Sequence, residues 1–108
     1  RRPPLQGDTV LRVADLEMDV ALREVRRAGK LIDLSPKEFT LLEYFMRHPR
    51  QVLTRDQITE HIWNFDFYGD SNVVDVYVGY LRRKIDRGFD LSLLHTVRGV
   101  GYRLSAEG

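Results

Sequence analysis

Two short stretches of this chain, "LSPKEF" (34–39) and "LTRDQI" (53–58), share one grammar, and it fixes where two helices begin. In each, Ser35 or Thr54 stands three residues ahead of Glu38 or Gln57. At that spacing a hydroxyl caps the N3 amide while the N3 side chain returns to the cap amide. Leu34 with Phe39, and Leu53 with Ile58, bracket the boxes as hydrophobic staples, and Pro36 takes the first helical position, where its missing N–H costs nothing. The first helix carries Phe39, Leu42, Phe45 and Met46 as its apolar stripe. It ends at His48-Pro49, because a residue before proline is pushed out of the helical region. The second is expected to run to about Trp63. A third follows over 71–86, where Val74, Val78, Leu81 and Ile85 recur at helical spacing as the buried stripe. Asn72, Val76, Tyr80 and Arg83, beside Gly79, are left on the opposite side.

Ahead of the helices, 9–34 reads as short alternating runs: Val10-Leu11-Arg12-Val13, Leu16-Glu17-Met18, Arg23-Glu24-Val25 and Lys30-Leu31-Ile32-Asp33, with Ala28-Gly29 as the clearest turn. Such alternation predicts a small antiparallel sheet of four strands. The opening "RRPPLQGD" (1–8) has the composition of a linker, so the domain is expected to span 9–106.

At the other end, "HTVRGVGYRL" (95–104) sets Arg98 against Gly99 and Gly101. A phosphate-cradling loop needs a strand before it and a helix after it, and here only Tyr102-Arg103-Leu104 follows. The alternative is a hairpin of Leu94-His95-Thr96-Val97 and Tyr102-Arg103-Leu104, with Arg98-Gly99-Val100-Gly101 as a turn that holds up one basic side chain.

With 108 residues, 43% of them hydrophobic and 10% aromatic, the chain fills one core without staples. It contains no cysteine, which excludes a disulfide scaffold and thiolate metal sites. No apolar run approaches the ~18 residues of a membrane span, so a membrane partner is not expected. The net charge is only +1, but from Asn72 to Arg103 the residues Arg82, Arg83, Lys84, Arg87, Arg98 and Arg103 face only Asp75, Asp86 and Asp90. That asymmetry makes a basic C-terminal face, although charge on a helix is more often a merely solvated face.

Two capped helices, a third with an aromatic and basic outer face, and an arginine-tipped hairpin make an α+β winged helix-turn-helix. A helix of this kind fits the major groove of double-stranded DNA, and a hairpin beside it can lay an arginine in the minor groove. The blocks "LSPKEFTLLEYFMRHP", "LTRDQITEHIW", "NVVDVYVGYLRRKID" and "LLHTVRGVGYRL" resemble, in order, those of OmpR/PhoB-type response regulator effector domains, over roughly 9–104. The resemblance implies a four-stranded N-terminal antiparallel sheet, three helices and a C-terminal β-hairpin wing. It also implies a sequence-specific DNA-binding output domain of a cytoplasmic bacterial two-component transcription regulator, preceded by a receiver domain that a cognate histidine kinase phosphorylates. In that pattern Arg55 and Trp63 match phosphate-touching positions. Asn72, Val76, Tyr77, Tyr80, Arg82 and Arg83 match the recognition-helix face. Arg98 matches the wing arginine, with Thr96 and Tyr102 as backbone-contacting neighbours. The segment 64–70, with Phe65, Asp66, Phe67 and Tyr68, looks like the loop some members use to contact RNA polymerase. The same habit implies a monomer in isolation and a tandem pair on direct-repeat half-sites. Where many members carry basic residues on the recognition helix, this chain has Gly79 and Tyr80, which moves its readout toward apolar contacts and shape.

Simpler roles compete for several of these residues. Trp63 and Tyr77 also suit packing, and Lys84 and Arg87 suit a helix C-terminus through the macrodipole. His48, His61 and His95 lack ligand spacing, so neither metal nor cofactor is expected. No serine sits in a G-x-S-x-G setting, and the acids lack a pocket signature, so catalysis has no support.

Overall fold

The computed structural model of the protein describes residues 10–63 and 72–107. The expected linker 1–8 and the loop residues Phe65, Asp66, Phe67 and Tyr68 lie outside the described residues. An antiparallel sheet opens the fold, with strands β1 (Val10–Val13), β2 (Leu16–Asp19), β3 (Glu24–Arg27) and β4 (Lys30–Ile32) in sequential order. Helix α1 (Pro36–Met46), strand β5 (Leu53–Thr54), helix α2 (Arg55–Trp63) and helix α3 (Val73–Ile85) follow, and β6 (Leu94–Val97) and β7 (Gly101–Leu104) close the chain.

Local sequence explains most boundaries. Ala28 and Gly29 both take positive φ, 53° and 79°, as the twist of a two-residue hairpin requires. The third strand starts one residue later than its alternation suggests, because Arg23 adopts φ 55° and belongs to the preceding turn. Both capping boxes form: the Glu38 amide donates to Ser35 Oγ at 3.2 Å and the Gln57 amide to Thr54 Oγ1 at 3.1 Å, with the reciprocal bonds at 2.9 and 2.8 Å. The third helix begins at Val73, with Asn72 as its N-cap.

Helix α1 is the hub, packed against α2, α3, β1 and β7. Its Leu41, Leu42 and Phe45 meet Val74, Val78, Leu81 and Ile85 of α3 and Leu16, Met18 and Val25 of the first sheet in one core. Glu38 supplies a polar seam. Buried itself, it accepts the Ser35 amide at 2.9 Å and Lys84 Nζ at 2.7 Å. Lys84, read as favouring the helix end, thus ties α3 to α1. Burial pushes the Glu38 carboxyl up, but the Lys84 hydrogen bond, the Ser35 amide and the Lys84 charge outweigh it, and its pKa lies below the ordinary value. A carboxyl with a depressed folded-state pKa stabilises the fold above its unfolded pKa, and the gain is lost as pH falls through the folded value. Glu38→Gln keeps the capping acceptor and removes the charge. We expect it to cost about 1 kcal/mol at neutral pH, and the difference to shrink as the pH falls below the ordinary carboxyl range, as read from urea midpoints over a neutral-to-acid series.

One strand and one glycine depart from the sequence reading. The wing is a three-stranded sheet in the order β5-β7-β6, in which Leu53 pairs with Tyr102 and Thr54 with Gly101. Gly101 therefore belongs to a central strand, not to the turn: a Cβ there would run into the Leu53 carbonyl oxygen. The turn is Val97-Arg98-Gly99-Val100, closed by the Val100 amide on the Val97 carbonyl at 2.9 Å. Gly99 supplies the φ of 76° that a type II turn demands at its third residue.

Candidate nucleic-acid interface

The buried stripe of α3 turns the other side of that helix outward. With Val74, Val78, Leu81 and Ile85 in the core, Asn72, Val76, Tyr80 and Arg83 are exposed. A ladder of rings leads to this face. Trp63 at the end of α2 meets Tyr77 edge-on at 5.3 Å between centroids, Tyr77 meets Tyr80 in the same way at 5.3 Å, and the Arg83 guanidinium lies 5.6 Å from the Tyr80 centroid. Trp63 and Tyr77 are half-buried against the core, so their packing role is real, and it also braces the exposed Tyr80 ring. Lys37 Nζ donates to the Ile62 carbonyl at 3.2 Å and stands 5.7 Å from the Trp63 centroid, which adds a cation at the foot of the ladder.

On its other flank α3 is fastened to the wing. Arg82 Nε donates to the Leu94 carbonyl at 3.0 Å and Nη2 to Thr96 Oγ1 at 2.6 Å. Thr96 is exposed, and Arg98 stands exposed at the turn two residues on. Tyr102 of β7 is nearly buried, 4% exposed, and its hydroxyl donates to Asp75 of α3. The same carboxylate oxygen accepts Arg55 Nε at 3.0 Å. Burial first, and then the hydrogen bond to Asp75, raise the Tyr102 pKa, so the phenol stays a donor. The Asp75 hydrogen bond, followed by its charge, raises that of Arg55. The Arg55 and Arg82 guanidinium groups each lie 5.5 Å from the centroid of this tyrosine ring. Asp75, which sequence reasoning missed, is therefore the joint between α2, α3 and the wing. Its signal was the spacing: it is one helical residue from the exposed Val76, on the edge toward Arg82.

Arg27 holds the far end of α3. This side chain is fully buried on the first sheet, with Nε on Asp15 Oδ1 at 2.6 Å and Nη1 on Asp86 Oδ1 at 3.1 Å and on the Ile85 carbonyl, while Nη2 donates to the Leu91 carbonyl. Asp86 also accepts the amides of Leu93 and Leu94 at 2.9 and 3.0 Å, and so sets where the wing begins. The histidines sit apart from this face: His48 Nδ1 is 2.9 Å from the Tyr44 carbonyl, His61 stacks on Tyr44, and His95 Nε2 is 2.9 Å from the Ser105 carbonyl.

An outward helix face locked to an arginine-tipped wing is the geometry of a DNA-binding winged helix. The family described as "Transcriptional regulatory protein, C terminal" matches residues 29–104. The solved structure of DrrB, a Thermotoga maritima OmpR/PhoB homolog, superposes with a TM-score of 0.80 at 28% identity, over 90% of this chain and 44% of that one. The chain belongs to the OmpR/PhoB-type DNA-binding effector domains. This effector domain is 51% identical over 96 residues to YkoG of Bacillus subtilis, named an uncharacterized transcriptional regulatory protein, covering 89% of this chain and 42% of that protein. The Klebsiella pneumoniae RstA DNA-binding domain, solved in complex with the RstA box, matches with a TM-score of 0.79 at 26% identity, over 90% of this chain and 97% of that one. The effector domain spans about two fifths of the curated relatives it matches.

Proposed function

We propose that this chain is the output domain of a longer two-component response regulator, and that it binds double-stranded DNA with α3 in the major groove and the Arg98 wing in the minor groove. The observation that carries the reading is the Arg82 bridge to Leu94 and Thr96, which makes the outer face of α3 and the wing one rigid surface. Asn72, Val76, Tyr77 and Tyr80 face base edges or brace the residues that do. Arg83, Arg55, Trp63 and Thr96 face the sugar-phosphate walls. Arg82 and Tyr102 work chiefly by positioning, since Arg82 Nε and Nη2 and the Tyr102 hydroxyl donate within the protein. The segment 64–70, with Phe65, Asp66, Phe67 and Tyr68, serves RNA polymerase, its carboxylates being ill suited to phosphates. The domain spans 9–106 after a linker at 1–8, is monomeric alone, and pairs in tandem on direct-repeat half-sites. An upstream receiver and its cognate histidine kinase control it in the bacterial cytoplasm. It acts by occupancy, without catalytic turnover, metal or cofactor. Among the described residues no helix is long and apolar enough to cross a membrane.

The test is equilibrium binding of the 108-residue chain to a duplex recovered from a random pool, measured over a salt series. Wild type should lose affinity steeply with salt, because each arginine on a phosphate releases counterions. Arg83→Ala should weaken binding to all duplexes about equally and lower the slope of log K against log salt by roughly one. Binding that ignores salt would overturn the reading. An unchanged slope would remove Arg83 from the phosphate contacts.

A further inference from the structure

The centre of the outward face of α3 is apolar. Val76 is 44% exposed and Tyr80 37%, and Gly79 lies between them on the same side. Turning about 100° per residue, the helix puts Val76, Gly79, Tyr80 and Arg83 on one face opposite the core stripe. Exposed apolar side chains in the middle of a face otherwise built for a polyanion offer phosphates nothing. Nor does the fold need them there, since the four core residues of α3 already anchor it.

Gly79 sharpens the point. A glycine in a helix interior is less favourable than an alanine, because it loses more backbone freedom on folding. Here an added Cβ would have nothing within 4 Å, and the backbone is helical rather than left-handed. Folding therefore gives no reason to keep a glycine. The clearance is useful only to something that approaches from outside. The β-branched Val76, stiff at χ1, borders that clearance one turn back, and the ring ladder from Trp63 through Tyr77 fixes Tyr80 on the far side of Val76. The result is an exposed apolar patch of one stiff aliphatic and one braced aromatic side chain, with open backbone beside it.

Of the base edges in the major groove, the C5-methyl of thymine is the apolar one. We propose that Val76 and Tyr80 read thymine by contact with its C5-methyl group, and that Gly79 is the clearance that lets the base pair come close enough for that contact. This rests on α3 entering the major groove, as set out above.

The experiment uses the 108-residue chain and the duplex recovered from a random pool, with each thymine replaced in turn by deoxyuridine. That replacement removes the methyl and leaves every hydrogen-bonding group in place. At one or two positions binding should weaken about fourfold per methyl. The loss should shrink to near unity in Val76→Ala, whose side chain is exposed and not needed for folding. Gly79→Ala should raise the melting temperature by roughly 4 °C and yet weaken this duplex roughly tenfold, with its salt slope unchanged. Thymine and deoxyuridine duplexes bound equally at every position, by a chain that still binds with wild-type salt dependence, would overturn methyl reading while leaving DNA binding standing. A Gly79→Ala chain that is more stable and binds as tightly as wild type would overturn the clearance. Absent salt-dependent binding would instead strike the underlying reading.

Discussion

Arg27→Met should cost 3–5 kcal/mol of folding free energy, the range expected when one partner of a buried ion pair is removed. The guanidinium is inaccessible to solvent and Asp86 is nearly so, and the methionine leaves that carboxylate without its cation. Asp86 would keep the amides of Leu93 and Leu94, so the charge is not wholly abandoned. The bridge to Asp15 adds little, because that carboxyl is half exposed. Against a typical total of 5–15 kcal/mol the loss is large. The urea midpoint should fall by roughly 2 M. A second variant separates the cause: Arg27→Lys, which keeps a cation beside Asp86 but gives up donors to the Ile85 and Leu91 carbonyls, should lose less stability than Arg27→Met. A fall below about 1 kcal/mol for Arg27→Met would mean that desolvating the ion pair cancels its attraction. Because Asp86 also fixes the first residues of β6, we expect the weakened protein to hold its wing less firmly.

What could be foreseen along this chain follows the range of the forces involved. The starts of α1 and α2 were legible because a capping box is complete within four residues, and the stripe Val74, Val78, Leu81 and Ile85 because helical spacing is itself the signal. Strand β5 was not legible: two residues carry no periodicity, and Leu53 and Thr54 already have local roles as staple and cap, the second of which Thr54 fills. Its pairing with β7 comes from sequence-distant contact alone, and that pairing also explains Gly101, whose missing side chain serves a neighbouring strand rather than a turn. Arg27 was hidden by composition, since arginine in a strand is ordinarily solvated. The two-residue period nevertheless held the clue, because Arg27 shares a face with the buried Val25.

The interface divides in the same way. The family resemblance pointed to Arg55, Arg82 and Tyr102, but it could not say that Asp75 joins Arg55 to Tyr102 or that Arg82 directs Nε and Nη2 to β6. Those are pairings across 12 to 27 residues of chain, set by how α3 lies against the wing. Arg98, by contrast, is where the hairpin reading put it: exposed, with the turn glycine Gly99 following it.

Arg98→Ala is accordingly the other substitution with a large expected effect. A guanidinium held on a glycine turn can enter a narrow A·T-rich minor groove, where the negative potential is enhanced. Arginines at the groove walls feel phosphates whatever the sequence. On a duplex recovered from a random pool, extended by an A·T-rich flank where the wing lies, the variant should lose about 1–3 kcal/mol of binding free energy. On a duplex differing only in a G·C-rich flank the loss should be clearly smaller, since that groove is wider and less negative. The variant should fold normally, because its side chain is exposed. The deciding measurement is therefore the binding of wild type and Arg98→Ala to that pair of duplexes at one salt concentration. A loss concentrated on the A·T-rich flank is the result predicted for a wing in the minor groove locked to a helix in the major groove. Equal losses on both flanks would reduce the wing to a phosphate clamp, and no loss on either would contradict the placement of the wing on DNA.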